Sequence, residues 1–158
     1  MFAMNQEIDQ YESAVATLRA AVAGLSRVQL RAHPIPGTWS LHQIAVHLTD
    51  CEQVFGDRIK RVVAESNPPL MSFDENLWMQ NLAIDSRPTE ESLDLLDLNR
   101  RQIARILREL PPTAFARTGI HSEIGSMSLS EILAKANWHF EHHMKFVHQK
   151  RSLVLNNT

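Results

Sequence analysis

The chain of 158 residues holds a single cysteine, Cys51, so no internal disulfide can form. That pattern fits a reducing compartment. Charge of neither sign is in excess: 16 basic side chains face 18 acidic ones, a formal net charge of −2. A broad nucleic-acid surface, which needs surplus Lys and Arg, is therefore not expected. No apolar run approaches the ~18 residues that cross a bilayer. The first ten residues contain no Lys or Arg, lack an apolar core and already carry Glu7 and Asp9, so no secretion signal is expected and a cytoplasmic location is. Glycine is scarce, at five residues, and no glycine loop of the phosphate-cradling kind is present. No repeat or linker divides the chain. A length of 158 residues predicts one domain, 1–158, large enough to bury roughly 70% of its unfolded surface.

The seven prolines cluster at 34/36, 68/69, 88 and 111/112 and cut the chain into segments. Four of these read as helices, with no convincing strand. In the first, 5–31, Ile8, Tyr11, Val15, Leu18, Val22 and Leu25 recur at steps of three and four, one apolar face. The second opens at Ser40, where Ser40 and Gln43 have capping-box spacing and Trp39 and Ile44 staple spacing. Ile44, Leu48, Cys51, Phe55, Ile59 and Val62 carry its seam toward residue 65. The connection 66–88 is long for a structureless loop, which predicts a helical turn near 74–82. The third helix begins near Thr89, with Glu90 and Glu91 at the positive end of its dipole. After the connection 113–127, a second capping box, Ser128 to Glu131, opens a fourth helix reaching about 150. Helices of this length bury their stripes as an all-α four-helix bundle with long connections after helices two and three.

Eight histidines stand in the chain, and three matter by position. The apolar stripe of the fourth helix runs Leu129, Ile132, Ala136, His139, His143, Val147. His139 and His143 thus occupy the inward seam, four residues apart on one face, a spacing that lets two imidazoles reach one ion. His47 flanks the seam of the second helix and supplies a third nitrogen. Three protein ligands leave the fourth position of a catalytic site open. The alternative is a hydrogen-bonded polar layer in the core. Cys51 is a further candidate ligand, weighed against the ordinary role of a buried cysteine as a small hydrophobe. Asp50 is placed to accept the second ring proton of His47, or to be solvated or paired with Arg58 or Lys60. Glu52 reads as surface charge, His33 and His42 as surface, and His121 as an exposed loop histidine, with an approach to the site as the alternative. Trp78 lies in the irregular connection and either walls a pocket or caps the bundle. The tract 139–143 is not a zinc-protease helix: Glu141 lies about 200° around from His139 and points away.

The stretch PGTWSLHQIAVHLTDCE at 36–52, followed by HFEHH at 139–143, closely resembles the DinB-like superfamily of four-helix bundles. The connections PLMSFDENLWM and HSEIGSMSLSEIL resemble that superfamily too, so the likeness spans nearly the whole chain. It implies a divalent metal, zinc or nickel, held by His47, His139 and His143. It also implies a homodimer, and an activity on a small molecule of one of two kinds. One is a transferase or isomerase using a low-molecular-weight thiol as co-substrate; the other is a metal-dependent hydrolase. An open metal position serves either, by acidifying a bound water or by holding a thiolate. A non-catalytic metal-binding stress protein is the third reading.

Overall fold

Ser40 starts the most enclosed helix of the protein. In the computed structural model, which describes residues 2–156, its hydroxyl accepts from the Gln43 amide while the Gln43 side chain accepts from the Ser40 amide. The helix so capped, α3, runs Leu41–Ala64. Three other long helices surround the core: α1 (Phe2–Val22), α5 (Thr89–Arg108) and α6 (Leu129–Asn156). α3 packs on α5 and α6, and α1 packs on the same two. Going round the bundle, the order is therefore α1, α5, α3, α6. Helices consecutive in the chain, α1 with α3 and α5 with α6, occupy opposite corners. Short loops make neighbours of consecutive helices, so this arrangement needs long connections.

Those connections depart from the expected four-helix reading in two places. The first segment breaks after α1: Gly24 adopts a positive φ of 75°, a conformation that favours glycine and stops a helix. Ser26 and Gln29 then cap a separate short helix, α2 (Arg27–Arg31). The chain also has strands. β1 (Pro69–Leu70) pairs in parallel with β2 (Thr118–His121), which pairs antiparallel with β3 (Gly125–Ser128). Gly119 lies so close to Leu70 that an added Cβ would sit 2.9 Å from its side chain. Between β1 and α5 lies α4 (Glu75–Asn81), capped by Asp74, whose carboxylate accepts from the amides of Asn76 and Leu77. α6 opens on its capping box at Ser128 and Glu131 and continues to Asn156, beyond the expected end.

The core divides into two apolar clusters. A buried polar layer lies between them, at the level of residues 47–52 of α3. Glu52, 1% exposed, accepts from the Tyr11 hydroxyl and from Arg100 Nε at 2.8 Å. Arg100 Nη1 donates to the Tyr11 carbonyl at 3.0 Å, and the guanidinium stands 4.5 Å from the ring centres of both Tyr11 and Phe140. Glu52 is thus not a surface charge but the centre of this layer. His42 is not on the surface either: it is 1% exposed, and its ring bonds Thr89 Oγ1 at 2.8 Å and the Ile84 carbonyl at 3.0 Å. No helix among the described residues is long and apolar enough to cross a membrane.

Candidate metal centre

The N-terminal half of α3 is buried on almost every side, from Leu41 to Glu52, so His47 points into the bundle whichever neighbour it meets. It meets α6. His47 Nε2 lies 3.3 Å from His139 Nε2. The His143 ring is centred 4.7 Å from that of His47 and 4.6 Å from that of His139. The three rings proposed from spacing therefore converge. Trp39, one residue before the α3 cap, covers them: its ring is 4.7 Å from that of His47 and stacks on His143 at 6.1 Å and 8°. Phe55 closes the far side, 5.9 Å from the His139 ring. His47 is 2% exposed, while His139 and His143 are half-buried, so the group opens to solvent on the α6 side.

Burial holds all three imidazoles neutral. It pushes His47 down to about 3, with His143 contributing. It pushes His139 down to about 3, helped by His143, His47, Arg100 and His142. It pushes His143 down to about 4, helped by His142. A neutral imidazole is the form that ligates a metal.

The site fits a divalent cation. Bonds of 2.0–2.1 Å in a tetrahedron place neighbouring nitrogens ~3.3 Å apart, which is the separation of His47 Nε2 from His139 Nε2. Among the described residues, the donor atoms already within 4.8 Å of one another belong to His47, Cys51 and His139. Cys51 Sγ stands 3.4 Å from His47 Nε2 and 3.6 Å from Nδ1. His143 is outside that tight set, though its ring adjoins it. The two candidates for a third ligand differ in chemistry. Burial, reinforced by Glu75, Asp50 and Glu52, pushes the Cys51 thiol well above its ordinary value, so ionising it is uphill. His143 already has a free lone pair.

Asp50 does not reach His47. Both its oxygens accept from Arg87, at 2.8 and 2.5 Å, and this fork ties α3 to the residue before Pro88 at the start of α5. The carboxylate that does approach is Glu75 of α4, half-exposed, with Oε2 3.8 Å from His47 Nε2. Spacing gave no hint of Glu75, because α4 is too short for a periodic signal. The one cue was Asp74, an N-cap residue that sets Glu75 in the first turn. His121 is not an exposed loop residue: it is 6% exposed at the end of β2, and its Nδ1 accepts from the Glu123 amide at 3.2 Å. Trp78 packs on Phe73 with ring centres 4.5 Å apart and lines a cavity beside α3.

Comparison with known proteins gives a consistent picture. The family model described as the DinB superfamily matches residues 10–147. A protein of Oceanobacillus iheyensis named "Putative metal-dependent hydrolase OB0782" is 31% identical over 144 residues, covering 91% of this chain and 83% of that protein. A similarly named protein of Geobacillus thermodenitrificans is 32% identical over 127 residues, covering 80% and 71%. Among solved structures, YfiT from Bacillus subtilis, described as "a probable metal-dependent hydrolase with an unusual four-helix bundle topology", superposes with a TM-score of 0.87 at 25% identity, covering 93% of this chain and 85% of that one. The four-helix bundle protein TT2238 shares the fold, at a TM-score of 0.65 and 20% identity.

Proposed function

Because the chain belongs to the DinB superfamily, we propose that it is a metal-dependent enzyme whose divalent cation, zinc or nickel, is held by His47, His139 and His143. The observation that carries this reading is the 3.3 Å approach of two neutral imidazole nitrogens from different helices, with a third ring beside them. A cation bound there supplies Lewis acidity to whatever occupies the remaining position, water in a hydrolase or a small thiol in a transferase. The relatives' names favour the hydrolase.

The residues divide the work. α3 and α6 present the imidazoles, and Trp39 limits their rotation by stacking. Glu75, beside His47 and open to solvent, takes the proton released from the nucleophile and passes it to bulk water. Burial, with a lesser contribution from Arg100 among its neighbours, keeps the His139 ring deprotonated and available.

Elemental analysis tests the ligand set. Purified wild-type protein is expected to carry about one divalent ion per chain. His47→Ala, His139→Ala and His143→Ala are each expected to lose it, and Cys51→Ala to keep it. Full metal content in any histidine variant removes that residue from the set; loss in Cys51→Ala alone, with His143→Ala unaffected, replaces His143 by Cys51. Turnover of 4-nitrophenyl acetate that a chelator abolishes supports the hydrolase. Conjugation of monochlorobimane that strictly needs an added thiol supports the transferase.

A further inference from the structure

Two turns along α3 from Cys51, a cationic side chain has no ion-pair partner among the described residues, though Asp57 and Glu123 act on it from farther off. Arg58 is 9% exposed, yet no carboxylate lies within ion-pair distance of it among the described residues. One nitrogen, Nη2, donates to the Met71 carbonyl at 2.6 Å. Nε is buried and donates to nothing. A buried charge lacking its counter-ion costs several kcal/mol, and such a group is retained where something else supplies the anion.

Arg58 lines a cavity of about 540 Å³ between α3, β1 and α4. The other walls are largely apolar or aromatic, chiefly Val54, Met71, Phe73 and Trp78. Arg61 and Asp57 also reach it, but they neutralise each other through a 2.7 Å bond. Arg58 is thus the cavity-lining cation without an ion pair, with Asp57 and Glu123 acting on it only at longer range, and this single charge suits a monoanion better than a phosphate dianion. The buried Lys150 near Trp39 offers a weaker case, since its amine already donates to Thr38.

The cavity and the histidine cluster share two elements, α3 and α4. α4 supplies both Trp78 to its wall and Glu75 to His47, and on α3 Cys51 and Arg58 lie seven residues apart, about 10 Å at 1.5 Å per residue. We infer that this cavity binds the carboxylate end of a small organic acid, with Arg58 pairing the carboxylate and Phe73 and Trp78 packing on a flat apolar body. Resting on the metal-centre reading for its far end, the inference makes the substrate an ester, amide or electrophile bearing a carboxylate remote from the reacting bond.

Calorimetric binding of 3-phenylpropionate, a non-reacting probe, to metal-free protein tests the acid subsite separately from the metal. The acid is expected to bind at least tenfold tighter than 3-phenylpropionamide, and to weaken as sodium chloride is raised. Arg58→Gln is expected to erase the acid's advantage and leave the amide unchanged, while Arg61→Gln keeps it. Equal binding of acid and amide by wild-type protein overturns the inference whether or not Arg58→Gln folds. Tighter binding of phenyl phosphate than of the acid overturns the monoanion assignment. If the acid binds while the purified protein holds no metal, the subsite stands and the metal centre falls.

Discussion

Lowering the pH from 7 to 5 perturbs the histidine cluster with few carboxylates titrating. An unfolded histidine takes up its proton near 6.5, whereas burial keeps His47 and His139 neutral to about 3 and His143 to about 4 in the folded metal-free protein. Between these values the unfolded chain binds more protons, so stability rises with pH. It is complete above about pH 6.5 and is lost as the pH falls toward the folded values. Each group contributes about 1.4 kcal/mol per pH unit, hence about 2 kcal/mol at pH 5. Three independent groups would give about 6 kcal/mol. They are coupled, and two are half-buried, so we take about 3 kcal/mol after discounting for interaction and solvent screening. That is a large share of the 5–15 kcal/mol typical of a domain and corresponds to a fall in Tm of ~6–12 °C at this size. Urea unfolding in the presence of a chelator, at pH 7 and pH 5, measures it. The control is the triple variant His47→Asn, His139→Asn, His143→Asn, which keeps the buried His42 and His121 and so cancels their contribution. A wild-type loss no larger than that of the triple variant would refute the claim that burial holds these rings neutral.

Two further expectations concern the surrounding frame. Arg100→Met strands Glu52, which is fully enclosed and whose carboxyl burial already pushes upward; it is expected to cost about 3–5 kcal/mol in urea unfolding, with much of that recovered when Glu52→Leu is added. His42→Ala removes two hydrogen bonds joining the start of α3 to Ile84 and Thr89. It is expected to cost about 1–3 kcal/mol with metal content by elemental analysis unchanged, since His42 lies away from the cluster.

The elements that were legible in the sequence are those with one apolar face or a cap chemistry of their own. The seam of α3, the boxes at Ser40 and Ser128, the turn at Asp74 and the inward register of His139 and His143 all follow from three-and-four spacing and local hydrogen bonding. What escaped was burial that arises from elements without period. Strands of two to four residues leave too few alternations to read, so the sheet that encloses His121 was invisible. Gly24 lay within an unbroken apolar pattern that hid the break between α1 and α2. Reading a helix as burying one face puts His42 and Glu52 on the surface. α3 buries most of its circumference over its first three turns, against two long helices and the turn at Ile84. Glu52 even occupies the seam, in step with Ala45, Leu48, Phe55 and Ile59, so a polar residue in register was discounted for its charge alone.

That full enclosure also explains why the cluster can be both neutral and reachable. Three imidazoles on a helix with an open face would be hydrated and would titrate near 6.5. Here α3 supplies the dry side through His47, and α6 supplies the wet side through the half-buried His139 and His143. The diagonal placement of α1 against α3 is what allows it: α1 contacts α5 and α6 instead, and delivers Tyr11 to the polar layer beneath the histidines. Glu52 is taken up by Arg100 and Tyr11, and His47 Nε2 and His139 Nε2 face each other at 3.3 Å. Asp50 is kept from them by Arg87. Burial is nonetheless the leading cause of the downward shift of all three rings, so the neutrality of the cluster rests first on the enclosure that α3 and its neighbours provide.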